Sequence, residues 1–361
     1  MKYYVEIIAA NYLKNVVPDP VTLEVHDKFL HGLTRDEFAE GFKALLSLVR
    51  KLYGDIADDP AGFGMPLKEI VDIYAKTPDY TNSNAGFIRA PHLLLIIGAI
   101  SELCSDGTLT VDGGALTANA KILKITGLTA LLAKLRDYGF DISDFGKALK
   151  AGELLSFVYV DNRYLTTALK SMADALLELT EGDLRNPKNN YFYMMNPALL
   201  ASETVKEPKM TIDSVYHAIS PVERDYAARL HNLADSVAKY KVRIGGFMRN
   251  DWSCVYTSKK SKKVLMSLQV EQNLSVKLNL QNIGRYISMV SDMPERIQGV
   301  FRSSGWDCAK CNPRCAGGFK YELDGKAYDK CHCGVFVFNK LTGDDVEYCE
   351  KLLREEIELQ A

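Results

Sequence analysis

The sequence predicts an α+β protein with a helical N-terminal part and a C-terminal antiparallel sheet covered by helices. In the N-terminal part apolar residues recur at helical spacing, as they do from Phe38 to Val49. In the C-terminal part, segments rich in β-branched and aromatic residues alternate with turn residues, which is typical of antiparallel strands. The predicted strands are 242–248, 252–257, 264–270 and 274–280.

The chain has 361 residues, a length that fits two or three domains. A stretch of mixed charge that contains Glu207-Pro208 marks the main boundary. We expect a helical segment over 1–87, a winged-helix-like module over 88–205, and an α+β domain with a cysteine-rich hairpin over 206–361.

Composition excludes several classes of protein. Hydrophobic residues make up 47% and charged residues 25% of the chain, which excludes a disordered protein, and the net charge of −2 excludes a chain that is basic overall. No run of about 18 apolar residues is present, so no membrane span is expected. Glu6 and Asn11 interrupt the apolar start, which does not fit a secretory signal. These observations predict a cytoplasmic protein.

The winged-helix prediction depends on the order of elements from Pro91 to Val160. It reads helix, strand, helix, helix and hairpin. The third helix is predicted from four leucines at positions i, i+3, i+4 and i+7, and Gly139 ends it. The leucines are Leu128, Leu131, Leu132 and Leu135. Lys134 and Arg136 are predicted to face outward and are candidates for nucleic-acid contact, although winged helices also contact proteins.

The most concentrated chemical signal is a cysteine cluster near the C-terminus. It reads Cys308-x2-Cys311-x3-Cys315, followed by Cys331-His332-Cys333. The two residues between Cys308 and Cys311 suit a tight turn that directs both sulfurs at one tetrahedral ion. The side chains of Cys331 and Cys333 lie on the same face of a strand, because side chains alternate.

We therefore predict a structural zinc site with ligands Cys308, Cys311, Cys331 and Cys333, while Cys315 competes for one of these positions. Free thiols around a small core, or a redox switch, are the alternatives. The remaining cysteines are expected to be packed in the core. They are Cys104, Cys254 and Cys349.

A basic hairpin over 239–263 carries a net charge of +7 and contains Trp252 and Tyr256. A basic strand pair with aromatic side chains could bind a phosphate backbone. The candidate contacts are Lys259, Lys260, Lys262 and Lys263. The alternative is a solvated turn that protects a sheet edge from aggregation, with the acidic last helix as an internal partner.

The chain resembles a group of uncharacterised proteins from anaerobic Gram-positive bacteria. The resemblance is carried by the segment Tyr-Val-Asp-Asn-Arg-Tyr-Leu-Thr-Thr-Ala-Leu-Lys at 159–170 and by the cysteine-rich hairpin with the Asp-Asp-Val that follows it. It implies a bacterial, cytosolic setting, and it implies no activity and no site residues.

Three functions are consistent with the sequence. The motifs of P-loop, dinucleotide-binding, zinc-protease and serine-hydrolase enzymes are absent. The leading hypothesis is therefore a non-enzymatic regulatory or partner-binding protein with a zinc or thiol site. The alternatives are an enzyme with a pocket between the two parts, and a nucleic-acid binder that uses the winged helix or the basic hairpin.

Overall fold

The structure is a computed structural model, and it shows an α+β fold with antiparallel sheets. It describes residues 3–18, 23–65, 67, 89–245, 251–271, 273–309, 319–331 and 334–360. The chain forms two compact units, and the change from the first unit to the second falls between Lys209 and Met210. The predicted parts 1–87 and 88–205 both lie in the first unit.

The first unit is mainly helical in its described residues. Its helices are α1 (Tyr4–Asn15), α2 (Arg35–Asp58), α3 (Arg89–Ile100), α4 (Gly113–Ile122), α5 (Leu128–Arg136), α6 (Leu165–Thr180) and α7 (Asn190–Tyr193). Its strands are β1 (Glu102–Leu103), β2 (Leu109–Asp112), β3 (Phe140–Ile142) and β4 (Leu154–Tyr159), and they pair in the order β1-β2-β4-β3.

Local sequence explains where α2 begins and what it buries. Thr34 accepts a hydrogen bond from the backbone of Glu37 at 3.2 Å, and the Glu37 carboxylate accepts one from the Thr34 backbone at 2.8 Å. This capping box satisfies two donors that a helix start leaves unpaired. The apolar face of α2 packs against α1 and α6, and it includes Phe38, Phe42 and Leu45.

From α3 to β4 the elements follow in the order helix, two short paired strands, helix, helix and a pair of strands, so the structure has one strand, β1, that the sequence did not predict. In α5, Leu131, Leu132 and Leu135 are buried and Leu128 is half-buried. Gly139 follows with φ of +92°, a conformation that glycine adopts without a steric penalty. The four leucines therefore form one apolar stripe on one helix, as their spacing predicts.

The second unit combines one larger sheet with helices and a small hairpin. Its helices are α8 (Ile212–Tyr216), α9 (Pro221–Asp235), α10 (Ser288–Ser291), α11 (Glu295–Ser303) and α12 (Gly343–Gln360). Its strands are β5 (Ala238–Ile244), β6 (Trp252–Ser258), β7 (Val264–Val270), β8 (Leu274–Asn279), β9 (Phe319–Leu323), β10 (Lys326–Lys330) and β11 (Val335–Asn339).

Five of these strands form an antiparallel sheet in the order β11-β8-β7-β6-β5, while β9 and β10 pair as a separate hairpin. Alternate side chains of the large sheet are buried, and α9 and α12 contact β7. The buried face includes Trp252, Cys254 and Tyr256 from β6. We call this the covered face and the opposite one the outer face.

Turns and caps in the second unit follow local chemistry. Asp324 and Gly325 connect β9 to β10 with φ of +51° and +74°, the positive values that a two-residue hairpin turn requires. Thr342 precedes α12 and donates to the carboxylate of Asp345, from its backbone at 2.7 Å and from its hydroxyl at 3.0 Å. An acidic side chain in the first turn of a helix also opposes the positive end of the helix dipole.

The first predicted strand, 242–248, begins too late, because β5 spans Ala238–Ile244 and pairs with β6 over its whole length. Residues 246–248 of that prediction lie outside the described residues. In the described residues no helix is long and apolar enough to cross a membrane.

Candidate functional site

The outer face of the large sheet carries cations in an ordered arrangement. Lys239, Lys241 and Arg243 alternate along the edge strand β5, and all three are exposed. Because a strand rises about 3.4 Å per residue, their Cα atoms repeat at about 7 Å. A fourth cation, Lys277, lies on β8 and is half-buried.

The strand register places these cations in a common surface. Lys241 pairs with Val255, Val255 with Ser267, and Ser267 with Lys277, so the two lysines belong to one row across four strands. The neighbouring row begins at Arg243. Along the described strands, the outer-face residues between and beside these cations are small, aliphatic or amide side chains. They are Ser253, Val255, Thr257, Val264, Ser267, Gln269, Ser275, Asn279, Val335, Val337 and Asn339.

The outer face of the described strands thus contains four cations and no acid, and it contains no aromatic ring. Trp252 and Tyr256 were expected to stand among the basic residues, but they are 2% and 0% exposed on the covered face. The reason is the alternation of side chains, which directs residues 252, 254 and 256 toward the helices.

The four lysines of the β6–β7 turn divide into two pairs. Lys259 donates to the backbone carbonyls of Asp235 and Ser236 at 3.0 and 3.3 Å, at the C-terminal end of α9, and Lys262 donates to the carbonyl of Lys259 at 2.6 Å. Lys260 and Lys263 are exposed, and no ion pair is recorded for them among the described residues.

Two acids of α12 are paired with arginines outside the basic turn. Glu350 binds Arg229 through two hydrogen bonds of 3.1 and 3.0 Å, and Asp345 binds Arg296. The internal neutralisation of the basic turn by the last helix, which was one reading of the sequence, is therefore not seen in the part of the chain that the structure describes.

The winged-helix candidates make contacts within their own unit. Arg136 donates to the carbonyls of Ile142 and Ser143 at 2.6 and 3.2 Å, and its guanidinium lies 3.6 Å from Asp144. Lys134 lies 3.5 Å from Asp137. These contacts tie α5 to the start of the β3–β4 loop and partly neutralise both cations.

Two of the four predicted zinc ligands are described, and the backbone brings them together. Asp307 and Lys330 form an antiparallel bridge, with hydrogen bonds from Cys308 N to the Asp329 carbonyl at 2.8 Å and from Cys331 N to the Trp306 carbonyl at 2.7 Å. Side chains alternate along a strand, so Cys308 and Cys331 lie on the same face.

In this register the two cysteines are diagonal neighbours, whose separation in a sheet is about 7–8 Å between Cα atoms. Cys308 is half-buried and Cys331 is exposed. Cys311, Cys315 and Cys333 lie outside the described residues. Within the described residues no three His, Cys, Asp or Glu side chains converge as a metal site.

The remaining cysteines were all expected in the core, and this prediction is wrong for one of them. Cys254 and Cys349 are buried, whereas Cys104 is exposed. Cys104 lies in the turn between β1 and β2, where its backbone pairs with Thr108 and Gly107. Cys104 lies beyond the end of α3, which stops at Ile100 where the chain turns to form β1.

Burial should make these three thiols react differently. It raises the pKa of the Cys254 thiol to about 11 and of the Cys349 thiol to about 12, so both stay protonated at pH 8. The thiolate is the reactive form, and we expect Cys104 to be alkylated by iodoacetamide at least about tenfold faster. Mass spectrometry of peptides from protein labelled at pH 8 measures this, with urea-unfolded protein as the control. Equal rates in the folded chain would show that burial does not protect the two thiols.

The chain was compared with protein-family models, with curated proteins and with solved structures, and none of the three comparisons gave a match.

Proposed function

We propose that the protein is a cytoplasmic, non-enzymatic binding protein and that the outer face of its large sheet binds the phosphate backbone of nucleic acid. The observation that carries this proposal is the set of four outer-face cations without an acid, in a chain whose net charge is −2. The described strands of this face are therefore locally positive, and such a surface attracts a polyanion although the net charge of the whole protein does not.

The described strands of the outer face carry no aromatic ring on which bases could stack, so their contacts would be to phosphates. Phosphate contacts position a protein on nucleic acid and carry no sequence information. We infer binding that is weakly dependent on base identity and strongly dependent on salt.

Fluorescence anisotropy with labelled 20-nucleotide dT and dA strands tests this proposal. With four phosphate contacts, affinity should fall about 50-fold between 50 and 200 mM salt, from a slope of about −0.7 per contact. The two homopolymers should bind with similar affinity. Binding that ignores salt, or a strong preference for one base, would contradict the proposal.

For the first unit we propose a winged-helix-like module that contacts protein. The sheet order β1-β2-β4-β3 supports the winged-helix assignment, because β4 lies between β2, which precedes α4 and α5, and β3, which follows them. The last strand of a winged helix has this central position. The internal contacts of Arg136 and Lys134 favour a protein partner over DNA for this element.

We also propose that the cysteine hairpin binds a structural zinc ion through Cys308, Cys311, Cys331 and Cys333. The shared face of Cys308 and Cys331 supports this, since two Zn–S bonds of about 2.3 Å can join sulfurs on diagonal neighbours. A four-sulfur site has no open position, so its role would be to hold the hairpin in place.

The zinc proposal predicts about one zinc ion per chain in protein purified without a metal-affinity tag. Cys311→Ser and Cys331→Ser should lose the metal and increase hydrogen exchange in residues 305–335, because the ligands would no longer tie the segment. Cys104→Ser is the matched control, since Cys104 is exposed and lies in the first unit. Zinc-free protein after reconstitution under reducing conditions would exclude the site.

A further inference from the structure

A small pocket lies in the second unit between the β6–β7 turn and the last turn of α12. Its volume is about 230 Å³, and its walls are formed by Val237, Leu265 and Ile357. Lys259, Lys260 and Gln360 stand around it. None of the residues that line it is one of the four outer-face cations.

An irregularity in the sheet creates one wall of this pocket. Tyr256 pairs with Met266 and Thr257 pairs with Val264, which leaves Leu265 without a partner across the ladder. Such a bulge re-aims the extra side chain. Leu265 is 1% exposed, and it faces the pocket together with Ile357 of α12. The apolar wall is thus built into the fold.

The edge of the pocket is positive. The ammonium of Lys259 is held by two backbone carbonyls, whereas Lys260 is exposed and no hydrogen bond from its ammonium is recorded in the described chain. Among the described residues that line the pocket, none is acidic. Gln360 forms the rest of the edge. Its amide oxygen accepts a hydrogen bond from the Ser261 hydroxyl at 2.8 Å, and its amide nitrogen donates to the Glu356 carboxylate at 2.8 Å.

The size of the pocket limits its ligand. A cavity of about 150 Å³ accommodates benzene, so about 230 Å³ corresponds to roughly nine non-hydrogen atoms. Ligand pockets combine apolar walls with a few polar groups that fix orientation. We propose that this pocket binds a small aliphatic or aromatic monocarboxylate, with its apolar part between Leu265 and Ile357 and its carboxylate beside Lys260.

Methyl NMR of the intact chain tests the proposal with octanoate as the probe. Titration with octanoate to about 5 mM should shift the Ile357 and Leu265 methyl signals in a saturable way. At that concentration a site with a millimolar Kd is mostly occupied. The neutral analogue 1-octanol should bind about three- to fivefold more weakly, as expected for the loss of one exposed charge pair. No saturable shift, or saturable shifts confined to other methyl groups, would overturn the assignment.

Two substitutions separate the apolar and the charged contributions. Lys260→Gln should reduce octanoate affinity by the same three- to fivefold and leave 1-octanol affinity unchanged. Ile357→Trp should fill the pocket and abolish the binding of both. Equal affinity for octanoate and 1-octanol in the unsubstituted chain would contradict the carboxylate preference, a result that does not depend on whether Ile357→Trp folds. Neither outcome bears on nucleic-acid binding by the outer face.

Discussion

Replacing Lys239, Lys241 and Arg243 by glutamine is expected to weaken binding of single-stranded nucleic acid by about two to three orders of magnitude at 50 mM salt. Each cation that neutralises a phosphate releases condensed counterion, and three of the four outer-face contacts are removed. The fold should persist, because all three side chains are exposed on the edge strand β5.

The matched control removes the same charge from other exposed positions of the second unit. Lys320, Lys351 and Arg354 are exposed on β9 and α12, and their replacement by glutamine changes the net charge equally. We expect this control variant to bind nearly as well as the unsubstituted chain. An equal loss of affinity in the two variants would mean that net charge, and not the outer face, determines binding.

The second large effect is on stability and concerns Glu356, which is fully buried in α12. Its carboxylate accepts hydrogen bonds from the backbone and side chain of Asn282, both at 3.0 Å, from the Tyr286 hydroxyl at 2.7 Å and from the Gln360 side chain at 2.8 Å. Burial, and then the hydrogen bond to Glu356, raise the pKa of the Tyr286 hydroxyl, which remains a donor at neutral pH.

Glu356→Ala should lower the free energy of unfolding of the second unit by about 3–5 kcal/mol, because buried donors would lose a charged acceptor. Glu356→Gln should lower the same free energy of unfolding by about 2 kcal/mol. Glutamine has the shape of glutamate, but its amide nitrogen is a donor and would face groups that are themselves donors. Urea unfolding followed by tryptophan fluorescence reports on this unit, because both tryptophans, Trp252 and Trp306, lie in it.

The control for Glu356 is Glu358→Ala, an exposed position on the same helix, where we expect a change below about 0.5 kcal/mol. If Glu356→Ala and Glu358→Ala unfold at the same urea concentration, the buried hydrogen-bond network does not stabilise the unit.

Local patterns predicted most of the elements. The content of β-branched and aromatic residues placed β6, β7 and β8 within one residue of their observed ends. The Asp324-Gly325 pair between β9 and β10 is also a local signal of a hairpin turn. The caps of α2 and α9 are local as well, because Thr34 and Ser220 each pair with a glutamate three positions later.

The candidate sites depend on pairing between distant parts of the chain, which local patterns do not contain. Lys277 and Lys241 lie in the same row of the sheet only because of the registers of three successive strand pairs. Likewise, the segment around Cys308 has no strand pattern, and its bridge to the end of β10 is what brings Cys308 near Cys331. The lysines of the β6–β7 turn were conspicuous in sequence, yet two of them are bound to backbone carbonyls.

The central claim, that the outer face binds the phosphate backbone, is tested most directly by the dependence of affinity on salt. It should be measured for the unsubstituted chain and for the variant in which Lys239, Lys241 and Arg243 are replaced by glutamine. The slope of log affinity against log salt counts neutralised phosphates. For single strands the account predicts a slope of about −3 for the unsubstituted chain and about −1 for the variant. The same slope for both proteins would show that the outer face of the sheet does not bind the phosphate backbone.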